Sequence, residues 1–158
     1  MLVIIISQVG QSGIMLYGSF HHSVDEKGRV SLPCKIRPLL SAKLYVLKGY
    51  EGTLAVYTEE SFSTYLDYLS KLTYEDKNSR DFLRVALASV QELEVDAKFR
   101  VQLPASLIEK YGISNKIVIV GVIDHLEFWN EDKWEAYQKD NEAQFEEKSQ
   151  VLLGAKNG

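Results

Sequence analysis

Short stretches of this chain alternate between apolar and polar residues with the period of a β-strand. In the segment 91–95, Leu93 and Val95 alternate with two glutamates, which is typical of a strand with one face in water. Further short extended or apolar runs occupy residues 19–24, 44–47, 54–57, 117–120 and 126–129. The pattern therefore predicts two successive sets of strands, each set containing a hairpin.

Helix signals follow the strands in both halves of the chain. Thr58 and Asn130 have the character of helix N-caps, and acidic residues follow each of them in the first turn, where the helix dipole favours negative charge. The segment 104–112 begins with Pro and ends with Gly, which predicts a short helix. Its counterpart at 34–40 contains Pro38 and is therefore predicted to be shorter or kinked.

One sequence motif occurs twice in the chain. Residues 25–33 read DEKGRVSLP and residues 96–104 read DAKFRVQLP, so six of the nine positions are identical. An internal repeat of this kind indicates two copies of one supersecondary unit. In each copy the motif is predicted to form a hairpin turn with its cationic residues at the tip, followed by Val-x-Leu on alternate positions of a strand.

The fourth position of the motif differs between the two copies. Gly28 can adopt the positive φ of a tight turn without steric cost. Phe99 occupies the same place in the second copy and cannot adopt that conformation cheaply. We therefore expect the second turn to be remodelled, with Phe99 either packed against its neighbours or used as a contact.

Each copy contributes only about fifty residues of sheet, which is close to the lower size limit for an independent domain. Two copies can share one core if their hairpins interleave into a closed sheet, and closure also removes exposed strand edges. The predicted fold class is α+β, a pseudo-two-fold β-barrel of interleaved hairpins with flanking helices. The predicted divisions are a leader at 1–14, a first repeat at 18–63, connecting helices at 64–89, a second repeat at 90–135, and a C-terminal helix and tail at 136–158.

The leader contains a run of five apolar residues, which is too short for a membrane span and lacks the positive flank of a secretion signal. We interpret residues 1–14 as an upstream start or a cloning-derived segment, with an extra edge strand as the alternative. The rest of the sequence carries no export or membrane signal, so we expect a cytoplasmic protein without a membrane partner.

The doubled motif resembles that of the MraZ family, a tandem version of the AbrB-type swapped-hairpin DNA-binding domain. The resemblance runs from about Met15 to the helix after Asn130, with Phe99 as a departure from the family's Gly. It implies two AbrB-like repeats in a bacterial transcriptional regulator that is nucleoid-associated and forms ring-like homo-oligomers. It also implies binding to repeated double-stranded DNA sites at the promoter of the division and cell-wall gene cluster. The motif positions in this sequence are Asp25, Lys27, Gly28, Arg29, Leu32 and Pro33, and Asp96, Lys98, Arg100, Leu103 and Pro104.

The overall charge does not itself indicate a nucleic-acid partner. The formal net charge is −4 and the isoelectric point is about 5.4, whereas nucleic-acid-binding domains are often basic. However, the acidic residues are concentrated after Asn130, while the cationic residues cluster in and after the two motifs. A basic face opposed to an acidic rim can still bind a polyanion.

The motif residues divide into predicted DNA contacts and predicted structural residues. Arg29 and Arg100 are the best candidates for base or phosphate contacts, since a guanidinium can reach guanine O6 and N7. The predicted backbone-positioning contacts are Lys27, Lys98, Lys35 and Arg37. The predicted structural residues are Gly28, Leu32, Pro33, Leu103 and Pro104, together with Asp25 and Asp96 as turn-forming or arginine-orienting carboxylates. The alternative is that both charged turns are solvated hairpin ion pairs, which contribute little.

The weak affinity expected from so few contacts predicts that the protein binds DNA as an oligomer. Binding through a few lysines and arginines has a non-specific Kd of roughly 10⁻⁴–10⁻⁶ M at physiological salt. Several protomers that present the same face in a row can gain about 10²–10⁴-fold from avidity. A repeated DNA site is the natural ligand for such a row.

The sequence shows no catalytic constellation. His21 and His22 are neighbours in a predicted strand, so they point to opposite faces and do not readily share a metal ion. Cys34 is the only cysteine, which excludes an intrachain disulfide and a multi-cysteine zinc site, and we expect it to be buried or half-buried. We therefore predict a non-enzyme that needs no cofactor and no small-molecule substrate.

The alternative function is a ring-forming protein–protein assembly module. An AbrB-like antitoxin is disfavoured because such proteins generally carry one motif per chain.

Overall fold

The computed structural model of the protein describes residues 15–154, so the predicted leader at 1–14 and the last four residues of the predicted tail lie outside the described residues. The strands are β1 (Ser19–Ser23), β2 (Arg29–Ser31), β3 (Lys43–Lys48), β4 (Leu54–Thr58), β5 (Gln91–Glu94), β6 (Arg100–Gln102), β7 (Lys116–Gly121) and β8 (His125–Asn130). The helices are a 3₁₀ helix (Cys34–Leu39) and the α-helices α1 (Glu59–Leu69), α2 (Lys77–Ala88), α3 (Ala105–Lys110), α4 (Glu131–Glu142) and α5 (Phe145–Gly154). The fold class is therefore α+β, as predicted.

The strands of the two repeats interleave. Six of them form one antiparallel sheet in the order β1-β7-β8-β4-β3-β5. The first strand of the first repeat, β1, pairs with β7 of the second repeat, and β5 of the second repeat pairs with β3 of the first. The remaining strands, β2 and β6, pair with each other in a separate two-stranded ladder. Neither repeat completes its sheet alone.

The prediction of one closed sheet is not confirmed. Within residues 15–154, β1 and β5 are the two ends of the six-stranded order, and each pairs on one side only. The sheet stays open because of how β2 and β6 pair. These strands pair with each other and not with the two sheet edges, and an isolated bridge joins Val30 of β2 to Val24, the residue after β1.

A pseudo-two-fold axis relates the two repeats. In the β2–β6 ladder, Val30 lies opposite Val101, and these two residues occupy the same position of the repeated motif. At the centre of the large sheet, Ala55 of β4 lies opposite Glu127 of β8, which are again equivalent positions. The axis therefore passes through the ladder and the sheet, and it places the two motif turns on either side of it.

The main core is formed by one face of the large sheet and the inner side of the β2–β6 ladder. Val30 and Val101 from the ladder and Val56 and Phe128 from the sheet are fully buried in one cluster. Burying a side chain of this size contributes about 1.5–3 kcal/mol. The ladder is therefore fixed to the sheet by its apolar side, and its other side is left for polar residues.

Helices cover the opposite face of the sheet. Phe62 of α1 stacks on Tyr45 with ring centroids 4.5 Å apart, and Trp134 of α4 meets Trp129 with ring centroids 5.2 Å apart. Both helices start at the predicted caps. Thr58 Oγ1 accepts a hydrogen bond from the backbone N–H of Ser61 at 3.1 Å, and Asn130 Oδ1 accepts one from Lys133 N–H at 3.0 Å. The equivalent helices therefore lie outside the sheet, away from the ladder.

The other helices differ from the sequence predictions in detail. The connecting helix α2 begins only at Lys77, because the Asp76 carboxylate caps it there by accepting from Ser79 N–H at 2.9 Å. The segment that contains Pro38 is as long as α3 but is wound as a 3₁₀ helix. The C-terminal stretch forms two helices, α4 and α5, and not one. Within residues 15–154, no helix is long and apolar enough to cross a membrane.

Candidate nucleic-acid interface

The first motif turn is built around the carboxylate of Asp25. Its Oδ1 atom accepts hydrogen bonds from the backbone N–H groups of Lys27, at 2.9 Å, and Arg29, at 2.8 Å. Its Oδ2 atom accepts from the Nε of the Arg29 guanidinium at 2.7 Å. Two backbone bonds between residues 25 and 29 and between residues 25 and 28 close the turn. One carboxylate therefore folds the turn and fixes the arginine that ends it.

The second motif turn has the same arrangement. Asp96 Oδ1 accepts from the N–H groups of Lys98 at 2.8 Å and of Arg100 at 2.9 Å, and its Oδ2 accepts from Arg100 Nε at 2.9 Å. The two closing backbone bonds are also present, including Phe99 N–H to the Asp96 carbonyl at 3.0 Å. The hydrogen-bond pattern of the second turn is the same as that of the first.

The expected remodelling of the second turn is therefore wrong. Gly28 has a φ of 79° and Phe99 has a φ of 57°, so both lie in the left-handed region. For Phe99 this conformation costs about 1–2 kcal/mol because its Cβ approaches the following carbonyl oxygen. The hydrogen bonds of Asp96 hold the turn despite this local preference. Of the two alternatives for its ring, packing is partly realised, since the ring is 43% exposed and contacts Arg37.

The β2–β6 ladder places the two arginines on one face. Val30 and Val101, at the middle of the ladder, point into the core. Side chains of a strand alternate between faces, so the residues on either side of each valine point away from the core. These residues are Arg29 and Ser31 on β2, and Arg100 and Gln102 on β6. Arg29 is opposite Gln102 and Arg100 is opposite Ser31, so both arginines belong to one polar surface.

Each aspartate binds the Nε atom of its arginine, and both arginine side chains stay partly exposed. The Asp25 and Asp96 carboxylates bind only the Nε edges. Within residues 15–154, the terminal Nη atoms of Arg29 and Arg100 make no hydrogen bond, and the two side chains are 32% and 26% exposed. Two adjacent N–H donors on a fixed plane match a pair of acceptors on phosphate or on a guanine edge.

The same bonds change the acidity of both aspartates. The backbone N–H of Arg29, its guanidinium and the Lys27 N–H lower the pKa of Asp25 below its ordinary value of 3.8. The equivalent groups of Arg100 and Lys98 lower the pKa of Asp96 in the same way. Both carboxylates are therefore ionised at neutral pH, the state in which they hold the arginines.

The remaining predicted contacts lie in two environments. Lys27 and Lys98 lie in the two turns and are exposed, and Lys35 is exposed on the 3₁₀ helix. Arg37 is half-buried and already engaged, because its Nε donates to the carbonyl of Leu32 at 2.9 Å and its guanidinium lies 5.1 Å from the centre of the Phe99 ring. The lysines are available to a polyanion, while Arg37 has a structural contact first.

The motif residues assigned to structure connect the two turns. Leu32 and Leu103 are buried, and their N–H groups cross between the repeats. Leu32 N–H donates to the carbonyl of Phe99 at 2.9 Å, and Leu103 N–H donates to the carbonyl of Gly28 at 2.8 Å. Pro33 and Pro104 then occupy the N-cap positions of the 3₁₀ helix and of α3. Each turn is therefore held by the strand end of the other repeat.

Sequence reasoning missed Gln102. Its Nε2 donates to the carbonyl of Lys27 at 2.8 Å, so it links the second strand to the first turn. The available signal was its position, two residues after Arg100 and hence on the same face of the strand.

The prediction that Cys34 is buried or half-buried is wrong, since this thiol is exposed. The 3₁₀ helix turns Ile36 inward, and Cys34 lies at the solvent side of its first turn.

Comparison with known proteins gives one consistent family. A protein-family model described as "MraZ protein, putative antitoxin-like" matches the chain twice, over residues 15–85 and 86–156. A protein of Acetivibrio thermocellus called "Transcriptional regulator MraZ" is 39% identical, over 80% of this chain and 88% of its own length. Proteins with the same name from Ligilactobacillus salivarius and Mesoplasma florum are 33% and 30% identical, covering 88% and 91% of this chain and 97% and 99% of their own.

One solved structure also aligns with the chain. The solution structure of PHS018 from Pyrococcus horikoshii covers 70% of this chain and 92% of its own, with a TM-score of 0.33 and 15% sequence identity. A similarity this low has no bearing on function.

Proposed function

Because the chain belongs to the MraZ family, we propose that it is a sequence-specific DNA-binding transcriptional regulator. Its relatives are named as transcriptional regulators, which is a non-enzymatic role. The observation that carries the proposal is the pair of equivalent Asp–Arg turns on the polar face of the β2–β6 ladder. The target is repeated double-stranded DNA sites at the promoter of the division and cell-wall gene cluster, and the protein acts at the nucleoid.

The fixed arginines provide the sequence readout. With Nε held by the aspartate, Arg29 and Arg100 can each offer their two Nη groups to DNA. In the major groove, guanine offers O6 and N7 as a pair of acceptors, and a bidentate arginine contact contributes about 1–3 kcal/mol of discrimination against other bases. The carboxylate keeps each guanidinium in place before DNA arrives, so less side-chain entropy is lost on binding.

The exposed lysines provide the part of the affinity that does not depend on sequence. Lys27 and Lys98 flank the arginines within the turns, and Lys35 follows the first motif on the 3₁₀ helix. Contacts of lysine with phosphate release counterions, so each contact makes binding more sensitive to salt. The α-helices that carry much of the acidic charge, α1 and α4, cover the opposite face of the large sheet and lie away from this surface.

A homo-oligomeric ring is the proposed acting form. Exposed apolar side chains on α1, α2 and α5 support it, because exposed apolar surface is typical of protein–protein contacts. These residues are Leu66 on α1, Val85 and Leu87 on α2, and Val151, Leu152 and Leu153 on α5. The same residues favour a second candidate function, an assembly module in which the ring docks proteins and the basic turns are only solvated.

Substituting Arg29→Ala together with Arg100→Ala separates the two candidates. A regulator that acts through DNA should lose binding to a duplex from upstream of its own gene and keep its oligomeric state, measured by sedimentation. The matched control is Lys71→Ala with Lys139→Ala, which removes the same charge on or beside the helices of the opposite face. Equal DNA binding by wild type and the double arginine variant would favour the assembly module.

A further inference from the structure

Phe99 is an exposed aromatic residue in an unfavourable backbone conformation. Its φ is 57°, and 43% of its surface is in solvent. The left-handed conformation is unfavourable for a residue with a side chain, because its Cβ approaches the following carbonyl oxygen. Because the Phe99 ring is partly exposed, the free energy gained by burying it offsets only part of this cost. Folding alone therefore gives no reason for a phenyl ring at this place.

The equivalent position in the first turn is closed to any side chain. A Cβ on Gly28 would lie 2.8 Å from the carbonyl oxygen of Leu103 and 2.9 Å from Cδ1 of Ile108. The second repeat is built differently at the corresponding place. Arg37 occupies there the helix position that Ile108 occupies beside the first turn, and its guanidinium lies 5.1 Å from the centre of the Phe99 ring. Only the second turn presents a large apolar group.

Arg37 lies over the ring and is itself held in place. Its Nε donates to the carbonyl of Leu32 at 2.9 Å, and its guanidinium carbon lies 5.1 Å from the centre of the Phe99 ring. A cation over an aromatic ring is attracted by the negative face of the ring. In sequence, Phe99 lies between Lys98 and Arg100, in the turn that delivers Arg100 to the polar face of the ladder.

We propose that Phe99 contacts the C5-methyl group of a thymine in the major groove, beside the base that Arg100 reads. The inference rests on the proposed function. In the major groove, the methyl group is the apolar feature that distinguishes thymine, and phenylalanine is one of the side chains that contact it. Arg37 is a positioning residue for this contact. The first turn has no side chain at this place, so the two turns of one protomer read different half-sites.

Replacing single thymines by uracil tests this contact, because the exchange removes only the methyl group. The probe is the shortest duplex from upstream of the protein's own gene that the wild-type protein protects, with each thymine replaced in turn. For wild type, at least one uracil should weaken binding about four-fold, which corresponds to about 0.8 kcal/mol for one buried methyl group. In Phe99→Gly, which restores the residue found in the first turn, the same uracil should have no effect.

Two further variants keep the test independent of folding and of charge. Phe99→Ala removes the ring but keeps a side chain, and it should lose the uracil effect as Phe99→Gly does. Arg37→Lys keeps the positive charge but lacks the planar guanidinium that lies over the ring. It should reduce the uracil effect. If Arg37 only contacted phosphate, lysine would replace it and the uracil effect would be unchanged.

Other outcomes overturn the inference. A uracil effect that persists in Phe99→Gly, or the absence of any such effect in wild type that binds the duplex, excludes the methyl contact and leaves the proposed function standing. A change in sedimentation of Phe99→Gly with an unchanged uracil scan means that the ring packs between copies of the chain. Failure of wild type to bind the upstream duplex overturns the proposed function as well.

Discussion

The two motif turns have the same hydrogen bonds but different side chains at their fourth position. In both turns an aspartate accepts from two backbone N–H groups and from an arginine Nε, and the fourth residue has a positive φ. In one turn that residue is glycine and in the other it is Phe99. The carboxylate therefore determines the conformation of the turn, and glycine is not required for it. In the first turn glycine is needed for a different reason, because Leu103 O and Ile108 leave no room for a Cβ.

The largest difference between the turns should appear when each receives the same small side chain. Gly28→Ala places a Cβ within 2.9 Å of both Leu103 O and Ile108 Cδ1 and at a positive φ, so we expect a loss of about 2–4 kcal/mol in the free energy of unfolding. Phe99→Ala, the matched change, keeps the same backbone conformation in a more open place and should have much less effect. Urea denaturation of both variants measures the difference, and equal losses would mean that the two positions are equally open to a side chain.

DNA binding should respond equally to the loss of either arginine. Because Arg29 and Arg100 are held in the same way, Arg29→Ala and Arg100→Ala should each reduce affinity by about 1–3 kcal/mol at fixed salt. Fluorescence anisotropy with the upstream duplex measures both. A loss for one variant alone would mean that only one turn faces DNA. Asp25→Asn and Asp96→Asn sharpen the test, since the amide can still accept from the backbone but no longer pairs with the guanidinium.

Restoring glycine in the second turn should have a smaller effect of the opposite sign. Phe99→Gly removes about 1–2 kcal/mol of backbone strain but loses the contact with Arg37, worth about 0.5–1 kcal/mol, and adds chain entropy to the unfolded state. We expect a gain of about 1 kcal/mol or less in the free energy of unfolding, measured by urea denaturation. A clear loss of stability would show that the Phe99 ring is a structural anchor.

The smallest expected difference concerns pH. Both aspartates have a pKa below 3.8 in the folded protein, chiefly because of the backbone N–H of the motif arginine. Their contribution to stability is therefore fully present above pH 3.8 and is lost as the pH falls through the folded-state pKa. NMR titration of the two carboxyl groups should give closely similar curves. A carboxyl that titrates above 3.8 would contradict the hydrogen bonding of its turn.

Much of the local structure could be predicted from sequence, because local signals determined it. The alternation around Leu93 and the caps at Thr58 and Asn130 lie within a few residues of the elements they define, and these predictions are confirmed. The open sheet could not be predicted, because it depends on β2 pairing with β6 from the other repeat. The doubled motif indicated this pairing of repeats but not its geometry.

In the candidate site, too, local features could be predicted from sequence and contacts between the repeats could not. The motif itself pointed to Arg29, Arg100 and the aspartates that hold them, and whether these arginines contact DNA stays a prediction. The positive φ of Phe99 was not expected, since the preference of one residue was weighed without the three hydrogen bonds of Asp96. The contact between Arg37 and Phe99 joins residues of different repeats, and no local pattern indicates it.

A salt titration shows directly whether the polar face of the ladder binds specific DNA. Binding to a labelled duplex with repeated sites from upstream of the protein's own gene is compared with a scrambled duplex at several salt concentrations. We expect preference for the repeated sites, a steep salt dependence for wild type and a flatter one for Arg29→Ala. Equal and weak binding to both duplexes at every salt concentration would contradict this expectation.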